Sequence, residues 1–454
     1  MSGKREAGSG KRGTTRPEGA ITSPKHPEGV VTSPKHPEGA IASPKHPEGV
    51  ITSAARDLLF RAVAAKQILR TLRALVITVS FGVAANAQSP LPASPFPLPA
   101  STYYAFIGSE GNDEVSLVRF GPKGASVDHK FRMGTNPTEL IGPHGVGVSP
   151  DGKYYYVSTA HGMPNGALWK YTTVGDSLKG RVTLGSFPAT VQVSPNGAYI
   201  YVVNFNLHGD MVPSSVSIVY GDGMLEIARV PTCVMPHGSR FNPQGTKHYS
   251  ACMMNDALVE IDANTFKVSR HFMLTKGSEH GMSGPVGSMA SASHDMSGHG
   301  SAAPKPGDIS CSPTWAQPSA DGAKIFVACN KSSEIVEIDA NTWTMTRRIP
   351  TGDGVYNLAV SHNGKLLIGT NKRGHSVSVI DIASGKELAR IPTSRKLASG
   401  VAVSSDDKYA FVTVEGIGSE PGTVDIIDLT SLAKVASVDV GQQAGGVDFW
   451  KVVP

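Results

Sequence analysis

SPDG at 149, SPNG at 194, NPQG at 242, SADG at 319, SHNG at 361 and SSDD at 404 are one turn written six times. After each comes a short run rich in β-branched and aromatic residues: KYYYVST, AYIYVVN, TKHYSAC, AKIFVAC, KLLIGTN and KYAFVTV. A polar loop follows, and then a second run, ALWKY, SVSIV, LVEIDANT, IVEIDANT, SVSVIDIASG or TVDIIDLTS. Runs of this kind bounded by Gly, Pro, Asn and Asp read as strands and turns. The turn-to-turn steps are 45, 48, 77, 42 and 43 residues, the spacing of a four-stranded propeller blade.

The count gives six complete blades and an N-terminal fragment, YYAFIGSEGNDEVSLVRF with ASVDHKFRM, that lacks its first strand. AGGVDFWKV ends the chain as a lone first strand and supplies it. The expected fold is therefore all-β, a seven-bladed β-propeller over 101–454 closed by pairing of the N- and C-terminal strands, which removes exposed sheet edges. SPNGAYIYVVN carries a resemblance to the YVTN-type (YncE-like) β-propeller repeat family, and the resemblance extends over about residues 100 to 454. It implies the fold and leaves the activity open, because propellers host unrelated functions.

Residues 1–65 are of another kind. Four decapeptides, PEGAITSPKH, PEGVVTSPKH, PEGAIASPKH and PEGVITSAAR, are too polar and proline-rich to bury a core, so this segment reads as disordered or as an over-extended start. Lys66, Arg70 and Arg73 then precede the apolar run ALVITVSFGVAA, and Ala85-Asn86-Ala87 offers small residues for cleavage. The pattern over 66–87 is that of a signal peptide. About a dozen apolar residues fall short of the roughly 20 that span a bilayer, so no membrane span is expected after cleavage. Residues 88–100 form a Pro-rich linker. The expected location is the periplasm or the exterior.

Charge follows the same division. Residues 1–87 hold 13 Lys and Arg against 6 Asp and Glu, while the whole chain has a net charge of +5. The part after residue 87 is thus slightly acidic, and the basic excess gives no reason to expect a nucleic-acid partner.

Inside a propeller the first strand of each blade lines the central channel. Loops that precede first strands share a top face with loops between second and third strands. The 77-residue step carries a His/Met-rich insertion, 274–310, between HFMLT and CSPTWAQ, and it too falls on this face. There the chain concentrates His144, His161, Met163, His208, Met211, Met235, His237, Met253, Met254, His375, His280, Met282, Met289, His294, Met296 and His299. These are 16 of the 24 His and Met that follow residue 87. Thioether sulfur suits Cu(I) and imidazole suits Cu(II), Zn or Ni, so the expected cofactor is copper. The expected metal set is His144, His161, Met163, His208, Met211, His237, His280, Met282, Met289, His294, Met296 and His299. The stretch HDMSGHG resembles Met/His-rich loops of periplasmic copper-handling proteins.

His144 and His237 each stand in P-H-G at the start of a channel-lining strand. The seven-bladed copper enzyme nitrous oxide reductase places cluster histidines at such loops, and the architecture expected here is similar. Ala189, Thr314, Tyr356 and Ser399 occupy the equivalent positions in other blades, so that ligand set is not reproduced.

Four cysteines keep register with the repeat. Cys233 with Cys252 and Cys311 with Cys329 are the expected disulfides of an exported chain, each tying a top loop to its own blade. No C-x-x-C-H haem-attachment motif occurs, nor G-x-S-x-G, H-E-x-x-H or a phosphate loop. The expected role is that of a copper carrier, sensor or resistance factor rather than an enzyme, with a metal ion and a periplasmic protein as partners on the top face. One alternative is a metal-free platform in which Trp315 and Tyr356 contact a protein or ligand. The other is a lactonase-like hydrolase, which calls for carboxylates at the channel mouth; the strand starts carry none, and Asp210, Asp256, Glu334 and Glu415 read as loop charges.

Overall fold

The recurring turn closes on side-chain hydrogen bonds. Ser149 Oγ–H donates to Asp151 Oδ1 at 2.6 Å and accepts the Tyr154 N–H at 3.0 Å, while Gly152 takes a φ of +70°. Glycine adopts that left-handed conformation without the steric cost of a Cβ. Ser194 with Asn196, Ser319 with Asp321, Ser361 with Asn363 and Ser404 with Asp406 repeat the first bond. In NPQG the Asn242 Oδ1 accepts from the Thr246 and Lys247 N–H groups, each at 2.9 Å. Each turn therefore reverses the chain between the first and second strands of its blade.

The computed structural model describes residues 97–134, 136, 138–161, 165–286 and 310–454. The expected leader segments, 1–65 and 66–87, lie outside them. So do Met163, Met289, His294, Met296 and His299.

Seven antiparallel sheets form the ring. Blades 2 to 7 begin with the channel-lining strands Pro143–Val148, Pro188–Val193, Pro236–Phe241, Pro313–Pro318, Val355–Val360 and Ala398–Val403. Blade 1 takes its innermost strand, Ala444–Val453, from the C-terminus, and this strand pairs with Thr102–Ser109 from Tyr103↔Val452 to Ser109↔Ala444. The closure expected from the sequence is thus observed.

Alternation along the strands sends one set of side chains to each neighbouring blade, and seven hydrophobic clusters fill the seven gaps. Phe106, Val115, Tyr155 and Trp169 pack between blades 1 and 2, and Tyr103, Phe120, Phe411 and Ile426 seal blade 1 to blade 7. An eighth cluster, Phe187, Phe205, Ala160 and Ala189 with Met235 and Met253 against it, lies beneath the top loops. Each fully buried aromatic or aliphatic side chain of this kind stabilises by about 1.5–3 kcal/mol.

Both expected disulfides form. Their reach differs from the expectation in one case. Cys233 lies on Leu225–Val234, the outermost strand of blade 3, and Cys252 lies on Lys247–Cys252 of blade 4, so this bond joins two blades. Cys311 and Cys329 both belong to blade 5, as expected.

The insertion also differs in part. Its residues His280–Ser283 form a fifth strand on the outer edge of blade 4, with His280↔Met273 and Met282↔His271. Trp343 of blade 5 covers Gly281 closely, since a Cβ there would meet Trp343 Cδ1 at 2.3 Å. Glu279 pairs with Arg348. His280 and Met282 therefore stand on the circumference rather than at the channel mouth.

Candidate metal site and channel on the top face

Asp113, fully buried with a φ of +53°, accepts the backbone N–H groups of Ile141 and Gly142 at 2.8 and 2.9 Å. The 141–142 carbonyls in turn accept the N–H groups of His161 and Ala160, at 3.0 and 2.8 Å. Blade 1 thereby fixes where two loops of blade 2 arrive. Gly142 has a φ of +61°, and a Cβ on it would meet His161 Cδ2 at 2.2 Å. Glycine is required at that position for His161 to lie where it does.

These constraints bring His144 and His161 to one carboxylate. His144 Nδ1–H donates to Glu110 Oε2 at 2.6 Å, and His161 Nε2–H donates to Glu110 Oε1 at 2.8 Å. Burial alone would push the Glu110 carboxyl up, but the two histidine bonds and their charges outweigh it and hold the group well below the usual carboxylate range. The hydrogen bond to Glu110 raises the His161 imidazole above its ordinary value despite some burial. Each histidine leaves its other nitrogen, His144 Nε2 and His161 Nδ1, without a hydrogen-bond partner among the described residues.

His208 joins from blade 3, with its ring stacked on that of His161 at 6.3 Å and 19°. Phe187 lies among the three imidazoles, edge-on to His144, His161 and His208 at 5.3, 5.9 and 5.4 Å. Met211 is exposed on the same loop as His208. Among the described residues no three of His, Cys, Asp and Glu converge as a completed metal centre.

His237 has a different place. It is buried, its Nδ1–H donates to Thr314 O at 2.9 Å, and its Nε2 accepts from the Tyr356 O–H at 2.9 Å. Burial pulls the ring down to about 3, so it stays neutral. Neither nitrogen of His237 is free to ligate, unlike those of His144 and His161. Lys372 lies over the Tyr356 ring, 4.3 Å from its centroid, and pairs with Glu415 at 2.6 Å. His144, His237, Trp315, Tyr356 and Asn357 line a cavity at the mouth of the central channel.

Glu110 is not among the carboxylates singled out from the sequence, which were the loop residues Asp210, Asp256, Glu334 and Glu415. It is the residue directly after a second strand, the register of Ala160, Phe205, Met253, Asn330, Lys372 and Glu415 in the other blades. That register was legible in the repeat. Of the loop carboxylates, Asp256 is buried and accepts the N–H groups of Ser310, Cys311 and Ser312, and Glu334 pairs with Arg348. Both are structural anchors.

No family model and no curated protein matches the chain. Among solved structures it is similar to the hydrazine synthase of Kuenenia stuttgartiensis, with a TM-score of 0.53 and 20% identity over 70% of this chain and 92% of that one. It is also similar to a protein of unknown function from Desulfotomaculum acetoxidans DSM 771, with a TM-score of 0.56 and 13% identity over 77% of this chain and 99% of that one. At such identities the likeness is one of fold.

Proposed function

We propose that the top face of this propeller binds copper, with His144 and His161 as the ligands presented by blade 2. The single observation that carries the reading is the shared Glu110 carboxylate, which takes one N–H from each ring and leaves the other nitrogen of each without a hydrogen-bond partner among the described residues. A carboxylate behind a histidine is the usual outer partner of a metal-ligating imidazole, fixing its tautomer and raising its basicity. His208 and Met211 are proposed to add to the set from blade 3, with His294 and His299 as further imidazoles and Met163, Met289 and Met296 as the soft thioether donors that favour Cu(I). The role is that of a carrier, sensor or resistance factor, and the chain is placed among YVTN-type propellers. An oxidising compartment outside the cytoplasm is supported by the two disulfides. No helix among the described residues is long and apolar enough to cross a membrane.

The test is copper affinity of the purified full chain beside its Glu110→Gln variant, with folding checked by circular dichroism. Loss of the carboxylate should weaken binding about 10- to 100-fold. Equal affinity in the two proteins, or no copper bound by either, rejects the reading.

A further inference from the structure

Below the mouth the channel holds a cation with no ion-pair partner among the described residues. Arg240, on the strand Pro236–Phe241, lines both the upper cavity and a lower one shared with Gln192, Gln317 and Asp448. Its Nη1 donates to Ser239 O at 2.9 Å, and its guanidinium carbon stands 4.5 Å from the Trp315 ring centroid. Asp448 acts on Arg240 through its charge without forming a salt bridge to it, and accepts the Val148 N–H at 2.7 Å and the N–H of its neighbour Phe449 at 3.0 Å. Burial pulls the guanidinium down to about 10, and the nearby charge of Asp448 only partly opposes that shift.

Two further polar atoms on the same wall are unmatched. Trp315 Nε1, a donor, and Asn357 Oδ1, an acceptor, are buried with no hydrogen-bond partner among the described residues, and both residues line the upper cavity with Arg240. Each residue is 6% exposed. Orphaned groups of this kind are costly in a native interior, and a bound ligand can satisfy them. Gly238 makes room for this arrangement, since a Cβ there would meet Trp315 Cε3 at 2.2 Å and Thr314 O at 2.4 Å. Val146, Val191 and Val447 supply apolar wall.

We propose that the channel binds a short hydroxycarboxylate anion, its carboxylate on Arg240 and the Trp315 N–H and its hydroxyl on Asn357 Oδ1. A guanidinium matches a carboxylate in both charge and fork geometry. An amino acid fits less well, because its ammonium would stand beside Arg240. This site shares its cavity with His144 but uses none of the proposed copper ligands and does not depend on the metal reading.

Isothermal titration of the full chain in a chelator, with glycolate, acetate and glycolamide as probes, tests the assignment. Glycolate should bind best, acetate more weakly, and neutral glycolamide not at all. Arg240→Gln should weaken glycolate at least tenfold, and Asn357→Leu should erase its advantage over acetate. Should Arg240→Gln fail to fold, Trp315→Phe keeps a ring over Arg240 while removing the N–H, and should still weaken glycolate. The proposal is overturned if no probe gives heat with the wild type, if glycolamide binds as well as glycolate, or if the folded variants bind glycolate unchanged.

Discussion

Tyr356 donates its phenolic O–H to His237 Nε2 at 2.9 Å, which locks a buried, neutral imidazole across the channel mouth. The folded pKa of His237, about 3, lies well below the ordinary value near 6.5. The unfolded chain therefore binds a proton that the folded one refuses. Stability from this group is fully present above pH 6.5 and is lost as pH falls toward 3, by up to roughly 5 kcal/mol on the scale of 1.36 kcal/mol per unit. Urea titrations at pH 7 and pH 4 should show this loss, and Tyr356→Phe, which orphans Nε2, should cost about 1–3 kcal/mol at pH 7.

His248 adds to the same acid sensitivity by another route. It is fully buried between Tyr201 and Phe241, with ring centroids at 4.7 and 4.9 Å, and neither ring nitrogen has a partner among the described residues. Burial pulls it, too, to about 3. His248→Leu should remove the unmatched nitrogens, leave stability at pH 7 within about 1–2 kcal/mol of wild type, and flatten the fall between pH 6.5 and 4. A variant as acid-labile as the wild type would contradict this.

Reduction should loosen the ring at one place. The Cys233–Cys252 bond spans 19 residues and joins blades 3 and 4, while Cys311–Cys329 spans 18 residues within blade 5. Loops of this length contribute about 3 kcal/mol each in the chain-entropy account. Hydrogen exchange of Cys233→Ser/Cys252→Ser should accelerate along the interface of blades 3 and 4. In Cys311→Ser/Cys329→Ser it should accelerate within blade 5.

Closure should be all-or-none. Removing residues 444–454 deletes the innermost strand of blade 1 and Val447, part of the seal between blades 7 and 1. It also leaves Thr102–Ser109 as an exposed edge. The truncated chain should be aggregated or unfolded by circular dichroism and sedimentation, and a cooperative unfolding transition at the wild-type midpoint would refute this account of closure.

Much of this architecture was legible because it is written locally. Ser149 to Tyr154 contain every group that closes their turn, and a repeat of that hexad with alternating strands dictates blades without reference to distant residues. The pairing of Cys311 with Cys329 was legible for the same reason. The reach of Cys233 was not, because a residue just ahead of blade 4 in sequence belongs to the outermost strand of blade 3 in space. His280 and Met282 left the mouth because main-chain pairing with Arg270–Met273 offered the insertion an edge, a choice that composition does not record.

The sequence alone determined the blade period, the number of blades, the strand exchange that closes them and the crowding of His and Met into top loops, since each of these depends on short-range turn chemistry or on alternation. Tertiary structure decided which of those side chains meet. Glu110 reaches His144 and His161 because Asp113 of one blade anchors the backbone of the next. Arg240 stacks over Trp315 and lines one cavity with Asn357 because curvature of the ring turns three separate strands onto one axis. Such juxtapositions are set by the angle between sheets, and no stretch of chain carries that angle by itself.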